Sequence, residues 1–519
     1  MPATITAAQN NPSLPSPLAT SSAVREPITK RGSPTSHRQL TDERPGGVLN
    51  VRLMPHLSRG IASDYPRSEM SASVPAVTSN PLTLLWQDVR DERRADGDYP
   101  PGEKSFSLAR TRRFEHDPLG LLLESYERFG PIFTLKIFHH NAVFMLGPQA
   151  NHYILVSHAK NFGWRAGHMR DLIPLLGDGL LTIDGPVHRM HRKLMLPAFH
   201  RERIQAATAV MGEEIDRAVA RLQPDEVVDI YDWTRGLALR VAMRALFGLD
   251  PDRARAGGLN AAGEFESALS FYGRDYLLQL LRGPRTPFAR MLESRRRLDV
   301  LIYEEIDRRR ATGERGEDIL SMLLDAADED GASLGRTQVR DEVMTLLFAG
   351  HDTTTSTVSF MFHELARNPE VLDDAEVNVE MIVDETLRKF PPAYIGPRRS
   401  TEAFEFMGHH VPANSHVQYC SWASHHLPDV WPEPEQFRPR RFSEENRAKL
   451  PQGAYVPFGG GSRTCIGMRF GLLEVRTIAE AILERFSLEL AQPERKLSVR
   501  QMPTLSPRGG LPVVVHESP

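Results

Sequence analysis

The chain has 519 residues, 63 Lys and Arg against 67 Asp and Glu for a formal charge of −4, and 40% apolar with 25% charged side chains. This near-neutral globular composition excludes a fibrous or wholly disordered protein and offers no whole-chain polycation for binding nucleic acid. Two cysteines, Cys420 and Cys465, are too few for a disulfide framework and fit a reducing compartment, taken here as the cytoplasm.

Residues 1–80 hold 10 Pro and 12 Ser, with Tyr65 their only aromatic residue. Such a segment lacks the apolar surface to offset the entropy of ordering, so a disordered extension is expected. Seven Lys or Arg against three acidic residues in 1–60 leave organelle targeting as an alternative, although the prolines interrupt the amphipathic helix such a signal needs. A start at Met54 or Met70 is a further reading. No secretory signal and no apolar run of about 18 to 20 residues is present, so a soluble chain without a transmembrane anchor is expected. From Leu82 onward the periodicity is mainly helical, over 118–129, 199–222, 233–248, 290–311, 337–367, 370–390 and 467–486. Short β-like pieces at 131–146, 403–419 and 511–516 are bounded by Gly or Pro. No linker divides the remainder, so 81–519 reads as one catalytic domain, mainly α with small attached β-sheets, and as a monomer.

The run Phe458-Gly459-Gly460-Gly461-Ser462-Arg463-Thr464-Cys465-Ile466-Gly467 leads directly into a helical pattern. Cys465 thus precedes a helix N-terminus, whose unpaired amides favour an anion and lower a thiol pKa. Glycines 459, 460, 461 and 467 allow tight turns, Phe458 is placed to shield the sulfur, and Arg463 to bind an acidic cofactor group. A phosphate-binding loop would need Lys-Ser/Thr where this one has Cys, and no His or acid adjoins the thiol to serve as its base.

This loop resembles the haem-binding motif of the cytochrome P-450 family, Phe-x-x-Gly-x-Arg-x-Cys-x-Gly, without a departure. The resemblance implies the cytochrome P-450 fold and Cys465 as the axial thiolate of haem b, an iron protoporphyrin IX. Ala349-Gly350-His351-Asp352-Thr353-Thr354 is similar to the family's oxygen-activating helix. There Gly350 would leave room beside haem, Thr353 would hold a water near dioxygen and Asp352 would relay protons, with His351 a packing residue. Glu385-Thr386-Leu387-Arg388, with Arg441 arriving later, resembles the family's Glu-x-x-Arg plus Arg arrangement, a buried structural network. His188 and Arg192, at i and i+4, Arg398 and Arg463 are the expected partners of the haem propionates.

The resemblance implies a haem-thiolate monooxygenase that uses dioxygen and electrons from a separate ferredoxin- or flavodoxin-like donor with an NAD(P)H reductase, since no segment here provides a flavin or iron–sulfur domain. A haem-thiolate peroxygenase or isomerase and a non-enzymatic haem sensor are the alternatives. Residues 187–206 carry Arg189, Arg192, Lys193, Arg201 and Arg203 against Glu202, a local excess suited to docking an acidic donor. A hydrophobic small-molecule pocket is expected from Leu172, Leu176, Phe271 and Leu505, together with Trp164. Phe348, Ala349, Thr354 and Ile395 are its expected haem-side wall. The pairs His139-His140, His409-His410 and His425-His426 read as ordinary loop residues, and His363-Glu364-Leu365-Ala366-Arg367 lacks the second His of a zinc-protease helix.

Overall fold

The helical pattern of 337–367 contains enough apolar residues to be buried on every side, and a helix spanning Arg336–Arg367 runs through the centre of the protein. The computed structural model describes residues 80–518, apart from 96, 253–259, 275, 327–330 and 332. The expectation of disorder in 1–80 therefore lies almost entirely outside the described residues. Around the central helix pack Ile230–Val241, Pro287–Thr312, Val379–Lys389 and Met468–Leu483. They share one large core that includes Phe247, Phe265, Met344, Phe362 and Ile478. Among the described residues no helix is long and apolar enough to cross a membrane.

Polar residues within the central helix are satisfied by tertiary partners. Arg340, fully buried, pairs with Asp299 and Asp341 and donates to the Leu176 carbonyl. Glu342 accepts from Leu180 N at 3.0 Å and lies 2.6 Å from His191 Nδ1. The hydroxyls of Thr353, Thr355, Thr357 and Ser359 each donate to the carbonyl four residues earlier, the back-bonding by which hydroxyl residues are tolerated inside a helix.

The largest sheet is mixed. Its strands are β1 (Gly102–Glu103), β2 (Ile132–Ile137), β3 (His140–Met145), β4 (Phe162–Gly163), β6 (Ile395–Ser400) and β9 (His416–Cys420), in the order β1-β2-β3-β9-β6-β4. β3 and β9 run parallel, while β9 and β6 are antiparallel with Arg398 opposite Val417 and Arg399 opposite His416. Strand β5 (Val227–Asp229) joins β10 (Phe486–Leu490) and β13 (Pro512–Glu517) in a three-stranded sheet. Two hairpins, β7 (Phe404–Phe406) with β8 (His409–Val411) and β11 (Val499–Arg500) with β12 (Ser506–Pro507), complete the β-structure.

Local chemistry explains where the observed elements depart from periodicity. The pattern at 370–390 predicts one helix, but the chain forms a short turn at Pro369–Val371 and a separate helix from Val379. Asp374 is taken by Arg440 and by the Glu376 amide, and Asn378 then caps the new helix through Met381 N. The helix expected from 233 begins at Ile230 because the Asp229 carboxylate accepts from Tyr231 N at 3.0 Å. It ends in a wide turn, Ala242–Leu246, before Gly248 at φ 59°.

At the far end of the central helix Phe360, fully buried, stacks on Phe390 with ring centroids 4.2 Å apart. Phe360→Ala should destabilise the chain by about 3–5 kcal/mol, measured as a lowered urea midpoint with haem bound.

Candidate functional site

From Val339 to Leu365 every residue of the central helix is buried except Phe348, Ala349, Gly350 and Thr353. Ala349 and Thr353, four residues apart, share a helix face, and Phe348 and Gly350 flank it on either side, so the open stripe is centred on Ala349 and Thr353. A Cβ added at Gly350 would meet no atom within 4 Å, so this stripe opens on interior space. The Thr353 hydroxyl donates to the Ala349 carbonyl at 2.8 Å, which commits its proton and leaves its lone pairs as acceptors. Asp352 turns away from the stripe and is buried, with Oδ1 3.2 Å from His351 Nδ1 and 3.6 Å from Arg235 Nε. Burial alone would raise the pKa of Asp352, but His351, Arg235 and Arg500 hold it below the usual carboxylate value. Neither of its oxygens has a protein hydrogen-bond donor.

The Cys465 loop is shaped by its contact with a neighbouring turn, Tyr153–Ser157. Gly461 has φ 60°, and a Cβ there would lie 2.2 Å from the Leu155 carbonyl oxygen. No side chain fits at that position. Cys465 N donates to Phe458 O at 2.9 Å, closing the loop. The Phe458 ring packs at the edge of the main core. Gly467, at the start of the Met468–Leu483 helix, has φ −86° and only Phe199 within 4 Å of an added Cβ, so the protein itself places no steric demand on it. The thiol has accessible surface, but that surface lies within a recess. Burial pushes the Cys465 pKa up, against the Gly467 amide and Arg192. The expectation that the helix end alone lowers this pKa is corrected: desolvation is the larger effect, and thiolate forms there when a metal binds the sulfur. Cys420, by contrast, is packed in a second core and pushed up to about 12 by burial.

The four proposed propionate partners converge on this region. Arg398 and Arg463 both stack on the Trp164 indole, 3.8 and 4.8 Å from its centroid. Arg463 also donates to Ile183 O at 2.7 Å and to Asp184. Burial, the charge of Arg398 and the charge of Arg192 bring its pKa down to about 10, against Asp184. Arg192 donates to Thr464 O at 2.7 Å. His188 is buried beside Arg463 and Arg192 and is pushed down to about 3, chiefly by desolvation, so it is a neutral hydrogen-bonding group. Among the described residues no carboxylate lies within ion-pair distance of Arg398 or Arg192. A buried guanidinium without an anion is costly. Arg398 is buried and Arg192 half-buried, and two such cations beside a recessed thiol fit a cofactor with one soft-ligand metal and two carboxylates, a donor set that haem has.

A network of buried charge stands behind the loop. Arg388 grips Glu385 bidentately at 2.8 and 2.9 Å and donates to the carbonyls of His425 and Pro434. Glu385 also accepts from Arg438 N at 2.9 Å and Arg441 Nε at 3.3 Å. His425 Nε2 accepts from Val456 N at 3.0 Å, so its Nδ1 carries the proton that reaches the Arg388 carbonyl at 3.2 Å. One imidazole thereby joins the Glu385–Arg388 pair to the chain entering the cysteine loop. His425 and His426 are both buried, which corrects their reading as ordinary loop residues. Adjacency in sequence hid this because their neighbours come from distant segments.

Several pocket expectations change. Leu176 and Leu505 are fully buried and Phe271 nearly so; Leu176 and Phe271 belong to the main core, where Phe271 meets the Tyr272 and Phe288 rings, and Leu505 to the second core. They present no open wall. Thr354 is buried with its hydroxyl donating to Glu474 Oε2 at 3.0 Å, so it faces the Met468–Leu483 helix instead of a substrate. Leu172, Phe348, Ala349 and Ile395 retain accessible surface. Glu474, Arg235 and His425 escaped the sequence reading, since no local spacing signals a partner on another helix. Nine residues after Cys465 on an apolar helix face, Glu474 was the most legible of the three.

The family model for Cytochrome P-450 matches residues 106–511. Cyclooctat-9-en-7-ol 5-monooxygenase of Streptomyces melanosporofaciens is 32% identical over 60% of this chain and 73% of its own length. Cyclooctatin synthase of the same organism is 32% identical over 65% of this chain and 78% of its own. The solved structure of a retinoic acid-bound cyanobacterial CYP120A1 superposes with a TM-score of 0.70 at 26% identity, covering 81% of this chain and all of that one. With a matched segment that includes the cysteine loop, the stripe of the central helix and the buried Glu385–Arg388 pair, the chain belongs to the cytochrome P-450 family of haem-containing monooxygenases.

Proposed function

We propose that the chain inserts one oxygen atom of dioxygen into a hydrophobic organic substrate, with Cys465 as the residue that would hold the iron of haem b through its sulfur. Electrons come from a separate ferredoxin- or flavodoxin-like donor served by an NAD(P)H reductase. The observation that carries this reading is the pairing of the recessed Cys465 thiol with two arginines, the half-buried Arg192 and the buried Arg398, that have no carboxylate partner among the described residues. When bound, haem supplies a thiolate-ligated iron at which dioxygen is activated. Arg192 and Arg398 neutralise its propionates, with His188 and Arg463 completing the polar rim.

Proton delivery falls to the central helix. Arg235 keeps 17% of its side-chain surface exposed and approaches Asp352 from the outside. Asp352 is ionised and lacks fixed donors, so it accepts a proton from the Arg235 side and rotates to release it beside Thr353. Thr353, its own proton held by Ala349, accepts a hydrogen bond from the group being protonated and fixes it in position. Substrate enters against Leu172, Phe348, Ala349 and Ile395, an apolar lining. The names of the relatives, cyclooctat-9-en-7-ol and retinoic acid among them, support a largely hydrocarbon substrate with few polar groups. The exposed basic residues of 187–206 support an acidic donor docking on that face.

Substrate-dependent consumption of dioxygen and NAD(P)H, with a generic ferredoxin and reductase, tests the reaction class; turnover driven only by hydrogen peroxide would contradict it. Cys465→His should abolish the thiolate signature of the ferrous carbon monoxide spectrum, and an unchanged spectrum removes Cys465 from the iron. Thr353→Ala should keep haem and substrate binding while product formed per NAD(P)H falls by about tenfold or more, the scale of one positioned proton-transfer group, with the remainder appearing as peroxide.

Glu474 gives a pH dependence. Burial raises its pKa to about 8, only partly offset by Thr354, from an ordinary value of 4.5. Ionisation therefore favours the unfolded chain throughout that interval, and stability contributed by this group falls as pH rises from 4.5 to about 8, then levels. Glu474→Gln should remove that slope, so that its thermal midpoint rises relative to the parent as pH increases across the same range.

A further inference from the structure

On the sheet face away from Arg398, three histidines from distant segments meet. His140 begins β3, His416 begins β9 and His168 opens the turn His168–Leu172. Ring centroids are 4.4 Å apart for His140 and His416, 5.3 Å for His168 and His416, and 5.5 Å for His140 and His168. One ring nitrogen from each lies within 4.8 Å of the other two. His140 and His416 are 5% and 4% exposed, and the Nδ1 of each is buried without a hydrogen-bond partner.

The surroundings occupy one ring nitrogen of His416. Asp88, on the helix Pro81–Arg93, lies 3.1 Å from His416 Nε2 and accepts from Arg399 at 2.8 Å. Nε2 of His416 is thus occupied by the Asp88 carboxylate and the Arg399 guanidinium, 3.1 and 3.3 Å away, and Nδ1 is the nitrogen without a hydrogen-bond partner among the described residues. Charge nearby is balanced: Asp88 and Asp91 face Arg399 and Arg170. A buried nitrogen without a hydrogen-bond partner is costly, and two adjacent rings of this cluster each hold one.

We propose that His140, His168 and His416 form a binding site for a divalent d-block cation of the zinc type, with Asp88 orienting His416 from behind. Three imidazoles suit such a cation, and a fourth position is left for water. The carboxylate–imidazole pair is the usual support of a metal-bound histidine. The cation joins β3 and β9 to the turn that carries Leu172, and through Asp88 to the helix Pro81–Arg93, so it braces a wall of the substrate side from the opposite face of the sheet.

The full-length haem-loaded protein, stripped with EDTA and dialysed against chelator-buffered Zn2+, should retain about one zinc per haem iron and show a raised thermal midpoint. Zinc-edge X-ray absorption should show nitrogen neighbours at about 2.0–2.1 Å and no sulfur. His168 keeps 38% of its side-chain surface exposed, so His168→Gln should fold and keep its haem while binding zinc at least about tenfold more weakly. His416→Gln should show the same loss. Zinc well below one per haem, sulfur in the absorption spectrum, or undiminished affinity in His168→Gln would each overturn the site.

Discussion

The Glu385–Arg388 pair has no exposed surface on either partner, and the geometry of the cysteine loop depends on it. Two charges removed from water repay their desolvation only when every donor and acceptor is used. Here Arg388 spends its donors on Glu385 and two carbonyls, and Glu385 accepts from Arg388, Arg438 N and Arg441. The pair therefore fixes three stretches of chain at once: its own helix, the segment at 434–441 and, through His425, the strand of chain entering the loop at Val456. Removing Arg388 would strand a carboxylate with no water to reach it. That explains why a group far from any reacting atom is part of the machinery.

The central helix solves a different problem with related means. It crosses the core, where polar groups are expensive, yet it must expose a narrow stripe to the cofactor side. Its hydroxyls are folded back on the helix's own carbonyls, and its charges are matched across to neighbouring helices at Arg340, Glu342 and Asp352. Only Thr353 combines a back-bonded proton with an open face. Thr354, one residue on, is turned about 100° away and meets Glu474. Adjacent threonines with the same chemistry thus serve two sides of the helix.

The mixed sheet likewise separates two functions by the alternation of strand side chains. Arg398 lies beside Trp164 and Tyr419 on the face toward the cysteine loop. Arg399, the next residue, points to Asp88, Asp91 and His416. The proposed cofactor cradle and the histidine cluster thus lie on opposite faces of one sheet.

Much of this was legible in the sequence where the signal is local. The ten-residue loop around Cys465, the acid–alcohol pair at 352–353 and the Glu-x-x-Arg spacing each lie within a few residues, and short spacing on a helix or turn dictates which groups share a face. The family, the mainly helical fold and most helix positions followed. Residues whose partners come from distant segments were illegible: His425 between Arg388 and Val456, Arg235 behind Asp352, Glu474 opposite Thr354, and the three histidines of the sheet. Apolar character marked Leu176, Phe271 and Leu505 for burial but could not say whether they face a pocket or a core, because both environments select the same side chains. Sequence by itself determined which chemistry the chain carries; tertiary structure alone decided which of those groups are desolvated, paired or left open, since burial and pairing are properties of contacts between segments that periodicity cannot see.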